Sequence, residues 1–445
     1  MKIRNYLSNY QIFAIGFALI ILIGGVVLSL PVSSATGDNT PLIDALFTST
    51  SAVCVTGLIA YDTFTHWSLF GKIVIITLIQ IGGLGFMTIV TIGTILMGKK
   101  IGAYERLLVT QSSGAMSSGQ VISLVKKIVF GSLLVEFIGA LLLSFRFCPQ
   151  FGFIKGIGIS LFHAISAFCN AGFDLFGRFG EFSSLVPYVG DYFVNYVIMV
   201  LITVGGIGFV VWDDVIRHKL KLSKYSFHSK VVIATSMALV LSGFVIFLVL
   251  EYNNTLSGLG FFEKITAALF LSVSPRTAGF NTVSVGDLTE SSKLISSVLM
   301  LVGGSPGSTA GGMKTTTLAV MLISAVAAVR GADETVVFKR KLEKDVIHQA
   351  VAIFTVYISV VIFSTVIIST YEGLPLIDVL FETASAAGTV GMTTGITQRL
   401  KVFSKIILMV LMFSGRIGIL TFAMAVGKKR KKSHISRPTD KLMIG

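Results

Sequence analysis

Four short segments of the sequence share a phenylalanine, a serine four residues later and a glycine about ten residues after the phenylalanine. They are Phe47–Gly57, Phe162–Gly172, Phe270–Gly279 and Phe381–Gly391, of which the third is one residue shorter. Glycine tolerates positive φ, so the backbone beside it can approach an ion closely. Rings of backbone carbonyl oxygens replace the hydration shell of a monovalent cation. No carboxylate replaces these glycines, which disfavours a site for divalent cations.

Two enzyme motifs occur in one glycine-rich stretch, and both lack the context that their chemistry needs. Gly303–Gly307 matches the G-x-S-x-G elbow of serine hydrolases, and Gly307–Lys314 nearly matches a phosphate-binding P-loop. The elbow needs a preceding strand and a His/acid pair, but an apolar run precedes Ser305 and the histidines lie elsewhere. In a P-loop a lysine follows the second glycine, and Met313 occupies that position. We therefore expect no enzyme; a membrane hydrolase would lose all activity in a Ser305→Ala variant.

The apolar composition of the chain indicates that membrane-spanning helices hold the glycine segments in place. The chain has 445 residues, 53% hydrophobic and 13% charged, with a mean hydropathy of +0.85. Soluble proteins average about 25% charged residues. Runs without Asp, Glu, Lys or Arg that are long enough to cross ~30 Å of hydrocarbon as a helix are 5–37, 73–98, 192–212, 231–250, 294–313 and 346–371. The composition predicts a polytopic membrane protein.

The net charge of +14 is concentrated in a few segments that alternate with apolar pairs. Lys and Arg near membrane ends favour the cytoplasmic side, so we expect all of these segments and both termini in the cytoplasm of a multi-pass plasma-membrane protein. Basic residues in separate loops do not form one nucleic-acid-binding face, and no nucleic-acid partner is expected. The tail Lys428–Lys432 is interpreted as a topology anchor that can also touch anionic membrane lipid. The basic segments are 1–10, 98–127, 213–230, 330–345 and 427–445.

The glycine segments recur at near-even spacing, which predicts four repeats of one unit. The repeats are 1–97, 98–212, 213–329 and 330–427, followed by the basic tail 428–445. Each has a full apolar span (12–30, 128–147, 231–250, 350–370), an apolar segment too short to span (41–52, 157–168, 263–274, 376–387), the glycine segment and a second apolar span (73–97, 192–212, 294–329, 402–426). The predicted fold is an all-α membrane protein with eight transmembrane helices and four re-entrant loops around a pseudo-fourfold pore.

The re-entrant loops all enter from the outside face if each unit crosses the membrane an even number of times. Irregular backbone at membrane depth must be buried in protein or line a water-filled path, so four similar loops can converge on one axis. Each short helix then points its C-terminus, which carries roughly −0.5 charge, at the membrane centre. This arrangement predicts a cation path lined by backbone carbonyls. Glycines in the second spans, such as Gly82 and Gly205, are interpreted mainly as helix packing.

The third unit has a second span that is interrupted by glycines and a proline, which a straight helix does not accommodate. We expect this segment, 303–314, to be a gating loop that obstructs the path below the glycine segments, with Lys314 anchoring its inner end. We expect this to be the single gross break in the second spans. The loop residues are Gly303, Gly304, Ser305, Pro306, Gly307, Ser308, Thr309, Ala310, Gly311 and Gly312.

Arg416 lies inside the last apolar span. An intramembrane arginine costs about 2.5–3.5 kcal/mol on insertion scales and marks a functional site by default. We expect it to project into the cavity beneath the glycine segments and to repel or pace cations beside the gating loop. The alternative is a structural ion pair with Glu136, the other isolated charge within a span.

The sequence resembles the Trk/Ktr/HKT superfamily of potassium transporters over essentially its whole length. The resemblance rests on the repeated span–loop–span unit and on Thr56-Gly57, Ala278-Gly279-Phe280, Val390-Gly391 and the stretch from Gly304 to Lys314. It implies channel-like potassium uptake, with glycine at all four filter positions indicating potassium rather than sodium. The filter carbonyls would belong to Thr56, Gly57, Ala171, Gly172, Ala278, Gly279, Val390 and Gly391.

The same resemblance implies partners and ligands. It implies a homodimer on a cytoplasmic ring of nucleotide-binding subunits of the KtrA type, so that ATP and ADP act on the partner and no cofactor is bound covalently here. Potassium is the substrate, and sodium is a candidate stimulator without an assigned site. The alternative function is a secondary cation carrier, sodium-coupled or sodium-permeable. Such carriers tend to break helices at two matched positions.

Overall fold

A computed structural model of the chain describes residues 9–85, 88, 121–219, 221–332 and 334–426. The basic tail 428–445, most of the basic segments 1–10 and 98–127, and the inner part of the first unit's second span lie outside the described residues.

Four long apolar helices form the first elements of the predicted units, and each is long enough to cross a membrane. Helix α1 carries Leu19, Leu22 and Ile23 with more than half of each side chain exposed. An exposed apolar face of this kind suits lipid rather than water. The chain is therefore a membrane protein. The long helices are α1 (Asn9–Ser29), α4 (Val121–Phe151), α8 (Phe227–Glu251) and α12 (Lys344–Glu372).

A short helix packs against each long helix and precedes each glycine segment. At 1.5 Å per residue these helices are about 20–24 Å long, less than the ~30 Å of a bilayer core. The segment lengths that the sequence predicted for them are confirmed to within a few residues. The short helices are α2 (Leu42–Cys54), α5 (Phe153–Phe168), α9 (Phe261–Val273) and α13 (Leu376–Gly388).

The second apolar spans are broken more often than the sequence predicted. Only the third was expected to be interrupted, yet the second bends by 102° at its break and the fourth is also in two pieces. The cause is a glycine with positive φ, Gly208 (φ 101°) or Gly418 (φ 92°), which ends one helix before the next begins. The helices are α3 (Leu69–Leu84), α6 (Tyr192–Gly206), α7 (Phe209–His218), α10 (Glu290–Leu301), α11 (Thr315–Val329), α14 (Val402–Ile417) and α15 (Ile419–Val426).

The outer parts of the second spans pack against the short helices in a closed circuit. Helix α3 packs against α5, α6 against α9, α10 against α13, and α14 against α2. Each second span therefore supports the short helix of the next unit. Within the described residues, one element departs from the all-α expectation: a hairpin of β1 (Val336–Val337) and β2 (Arg340–Lys341), in a predicted cytoplasmic segment.

A buried ion pair closes this circuit between the first and last units. Lys405 Nζ on α14 lies 2.7 Å from Asp44 Oδ1 on α2, and each side chain is only 11% exposed. Sequence analysis did not identify this pair, because the partners lie at opposite ends of the chain. Removing one partner leaves a buried charge, which is costly.

We expect Lys405→Met or Asp44→Asn alone to lower the free energy of unfolding by about 3–5 kcal/mol, and the double variant to lower it much less. Thermal unfolding in detergent, followed by size-exclusion chromatography, measures both effects. Lys127→Met is the control, since the exposed Lys127–Asp213 pair is expected to contribute about 0–1 kcal/mol. Additive losses in the double variant would contradict the coupling.

Candidate functional site

The four glycine segments meet in a closed ring in which each glycine lies against a carbonyl of the next segment. An added Cβ would lie less than 3.0 Å from that oxygen, a contact that real Cβ atoms essentially never make, so glycine is required at these places. The distances from such a Cβ are 2.5 Å from Gly57 to the Ala171 oxygen, 2.9 Å from Gly172 to the Ala278 oxygen, 2.5 Å from Gly279 to the Val390 oxygen and 2.1 Å from Gly391 to the Thr56 oxygen. The eight residues named from the sequence are thus brought together.

All four segments share one unusual backbone conformation. The residue two positions before each glycine has positive φ, as does the glycine itself, whereas the residue between them does not. Positive φ is uncommon outside glycine and persists where the surroundings enforce it. All four segments therefore carry the same backbone strain at equivalent positions. The residues with their φ values are Val55 (56°), Asn170 (61°), Thr277 (71°) and Thr389 (53°), followed by Gly57 (95°), Gly172 (70°), Gly279 (82°) and Gly391 (94°).

The repeated serine hydrogen-bonds the glycine segment in every unit. Ser51 Oγ accepts from the Gly57 N–H at 2.9 Å, and Ser385 Oγ accepts from the Gly391 N–H at 3.0 Å. In the other two units the serine donates to the carbonyl that follows the glycine: Ser166 to Phe173 at 2.7 Å and Ser274 to Phe280. The Phe-x-x-x-Ser spacing was visible in the sequence, but the role of the serine was not assigned from it.

The segment between Leu301 and Thr315 contains no helix. It packs against the ends of helices α6 and α14, which belong to the second and fourth units. Its N–H groups at Ser305 and Thr309 donate to the carbonyls of Gly206 (3.0 Å) and Gly205 (3.2 Å) at the end of α6. The Gly312 N–H donates to the Gly415 carbonyl of α14 at 3.1 Å. The backbone hydrogen bonds of this irregular segment are thus met by helix ends, which makes it tolerable at membrane depth.

The same loop contacts the inner ends of the glycine segments. Thr309 Oγ1 donates to the Phe168 carbonyl at 3.1 Å, at the end of α5. A Cβ on Gly311 would lie 2.2 Å from Thr389 Oγ1, beside the fourth segment. Lys314 Nζ donates back to the Ala310 carbonyl at 2.7 Å and to the Gly311 carbonyl at 3.4 Å. Lys314 therefore stabilises the inner end of the loop, directly before helix α11 begins.

Arg416 links the loop to the first unit. Its guanidinium donates to the Thr309 carbonyl and to the carbonyls of Gly82 and Gly83, the last at 3.1 Å. In the described part of the chain, Glu136 forms no ion pair with it; both carboxylate oxygens of Glu136 instead accept from Gln80 Nε2, at 3.0 and 3.1 Å. The pairing that the sequence left open is therefore not formed in this structure.

The second-span glycines lie where helices approach most closely. A Cβ on Gly82 would be 2.0 Å from the Val53 carbonyl, on Gly205 1.9 Å from the Phe168 carbonyl, and on Gly415 2.0 Å from the Ala387 carbonyl. These contacts are packing contacts against the ends of the short helices, as expected for small residues in membranes.

Comparison with known proteins agrees with this geometry. The family described as "TrkH: Cation transport protein" matches residues 17–436. The chain is 42% identical to the Ktr system potassium uptake protein B of Bacillus subtilis over 98% of this chain and 96% of that protein. It is 38% identical to the potassium/sodium uptake protein NtpJ of Enterococcus hirae, over 100% and 99% of the two chains.

The fold is also that of a solved transporter. The crystal structure of the potassium transporter TrkH from Vibrio parahaemolyticus superposes with a TM-score of 0.74 at 18% identity, over 95% of this chain and 86% of that one. The resemblance inferred from the sequence is confirmed at the level of the family. The chain belongs to the TrkH family of cation transport proteins.

Proposed function

We propose that this protein conducts potassium ions inward across the plasma membrane through the ring of glycine segments. The observation that carries the proposal is the closed circuit of close backbone contacts from Gly57 through Gly172 and Gly279 to Gly391 and back. Four strained segments with identical φ patterns can present carbonyl oxygens to a dehydrated monovalent cation. The proposed filter oxygens are those of Thr56, Gly57, Ala171, Gly172, Ala278, Gly279, Val390 and Gly391. Relatives named as potassium uptake proteins support potassium as the substrate.

No chemical step is needed to drive this flux. A monovalent cation gains about 2.3 kcal/mol on crossing 100 mV. The C-termini of α2, α5, α9 and α13 lie beside the glycine segments, and their partial negative charges favour a cation there. The protein therefore works as a passive, channel-like path.

The finer architecture that we propose has four repeats and eight spans around a pseudo-fourfold axis. The repeats are 1–97, 98–212, 213–329 and 330–427, with the tail 428–445 and both termini in the cytoplasm. The circuit of helix contacts from α3 to α14 supports this arrangement.

We also propose that the loop 303–314 and Arg416 form the gate. The loop lies against the inner ends of the glycine segments, and Arg416 ties its Thr309 carbonyl to α3. A relative named as protein B of a Ktr system supports a multi-component assembly. The proposed assembly is a homodimer on a cytoplasmic nucleotide-binding ring of the KtrA type, which alone binds ATP or ADP. Sodium is a proposed stimulator, in line with the relative named for potassium and sodium uptake.

A secondary cation carrier is the second candidate function, and one observation favours it. Helices are broken at matched glycines, Gly208 and Gly418, in the second and fourth units. Matched broken helices are typical of secondary transporters.

Reconstituted vesicles separate the two functions. A channel-like path predicts rubidium uptake that is driven by a potassium gradient alone, with no obligatory co-ion. A carrier predicts uptake that stops when sodium is absent on both sides. Lack of rubidium uptake in vesicles that contain the intact complex would overturn the proposed function.

A further inference from the structure

In two units a side chain on the short helix, in addition to the repeated serine, hydrogen-bonds the backbone that follows the glycine. We call this second hydrogen-bonded contact a brace. The braces come from the residue that directly follows the repeated phenylalanine on the short helix. In the second unit this residue is His163, and in the fourth it is Glu382. Each side chain accepts a hydrogen bond from the backbone N–H three residues after the glycine, at Leu175 or Thr394.

His163 is fully buried and is bonded at both ring nitrogens. Nδ1 lies 2.8 Å from the Ile159 carbonyl, and Nε2 lies 3.2 Å from the Leu175 nitrogen. A carbonyl only accepts and a backbone N–H only donates, so these partners assign a neutral ring with its proton on Nδ1. The ring stacks on Phe176 at 4.2 Å between centroids, which fixes its plane. His163 therefore ties α5 to the outer part of its own glycine segment.

Glu382 has the same role with more partners. Its Oε1 accepts from the Thr394 N–H at 3.1 Å and from the Thr393 hydroxyl, while Oε2 accepts from the Thr397 hydroxyl at 2.7 Å. The side chain is 1% exposed, and in the described ranges no Lys or Arg is paired with it. These hydrogen bonds thus all connect Glu382 to residues that follow Gly391.

The other two units lack this brace. Thr48 occupies the corresponding position in the first unit, and its hydroxyl donates to the Asp44 carbonyl of its own helix at 3.0 Å. Leu271 occupies it in the third unit and has no polar side-chain atom. In the ring the first segment contacts the second, the second the third, the third the fourth and the fourth the first, so the second and fourth segments lie opposite each other. The braced segments therefore face one another across the ring.

We propose that His163 and Glu382 are positioning residues that set ion selectivity by fixing the spacing of two opposed filter segments. This inference rests on the proposed function of the ring. Carbonyl spacing and rigidity discriminate potassium from the smaller sodium ion. Loss of a brace frees the outer part of one segment and lets the carbonyls close around sodium.

The test is the ratio of potassium to sodium permeability, measured from reversal potentials of the reconstituted complex. His163→Leu and Glu382→Leu are each expected to lower the ratio about threefold to tenfold, the effect of one or two hydrogen bonds. His163→Gln and Glu382→Gln keep an amide oxygen that can accept the same N–H, and are expected to retain most of the wild-type ratio. The matched controls at the unbraced positions are Thr48→Val and Leu271→Met, with no expected change.

The ratio distinguishes a positioning role from a purely structural one, because reduced assembly lowers the number of conducting proteins and not their selectivity. If a leucine variant does not assemble, His163→Asn replaces it: its shorter side chain does not reach Leu175, and the ratio is again expected to fall. Unchanged ratios in His163→Leu, Glu382→Leu and His163→Asn, or equal falls in Thr48→Val, would overturn the inference. Absence of potassium current in the wild type would instead overturn the proposed function.

Discussion

A Gly391→Ala variant is expected to lose potassium uptake almost completely. An alanine Cβ at this position would lie 2.1 Å from the Thr56 carbonyl oxygen, and the backbone φ is 94°. Because the obstructing atom belongs to the backbone of the neighbouring segment, neither segment can yield without displacing a proposed filter carbonyl. Growth at micromolar potassium of cells that lack other uptake systems measures the loss. Gly57→Ser and Gly279→Ser are expected to be impaired as well.

Gly395→Ala is the matched control for backbone strain. Gly395 has nearly the same φ, 92°, but no atom lies within 4 Å of its added Cβ. Left-handed strain alone costs about 1–2 kcal/mol, so this variant is expected to be slightly destabilised and still active. Equal growth of the Gly391 and Gly395 variants would show that close packing in the ring is not what function requires.

An Arg416→Gln variant is expected to raise potassium flux and to weaken the dependence of that flux on the proposed cytoplasmic partner. The guanidinium bridges the Thr309 carbonyl of the proposed gating loop and the carbonyls of Gly82 and Gly83. Hydrogen bonds from a charged donor contribute about 1.5–3 kcal/mol each, so their loss can shift the loop equilibrium about tenfold or more. Rubidium uptake into vesicles, with and without the partner, is the measurement.

Arg416→Lys separates bracing from electrostatic repulsion. Lysine keeps the charge but lacks the planar fork that reaches several carbonyls at once, so bracing predicts increased flux in this variant too. Arg399→Gln, at an exposed site at the end of a short 3-10 helix after the fourth glycine segment, is the control and is expected to behave like the wild type. Flux that is unchanged in both Arg416 variants would show that the arginine is not part of the proposed gate.

The sequence predicts best the helices that are determined by the length and composition of a single continuous segment. The long apolar helices and the short helices before each glycine follow from hydrophobic length. Their bounds agree with the sequence to within about four residues, except that α4 and α12 begin seven and six residues before the predicted spans 128–147 and 350–370. The recurrence of Gly57, Gly172, Gly279 and Gly391 likewise predicts one shared site from the sequence alone.

The sequence did not predict features that depend on distant partners or on backbone conformation. Gly208 and Gly418 were interpreted as packing glycines, because nothing local distinguishes a glycine with positive φ from one in a tight helix contact. The partners of Arg416 are backbone carbonyls, which no side-chain pattern reveals. The roles of His163 and Glu382 become visible only when their helices are placed beside the loops that they brace.

The most direct measurement is an anomalous difference map from crystals of the complex grown in rubidium. We expect density on the axis of the ring, between the carbonyl oxygens of Thr56, Ala171, Ala278 and Val390. Rubidium found only elsewhere in the protein, with no density within this ring, would contradict the account.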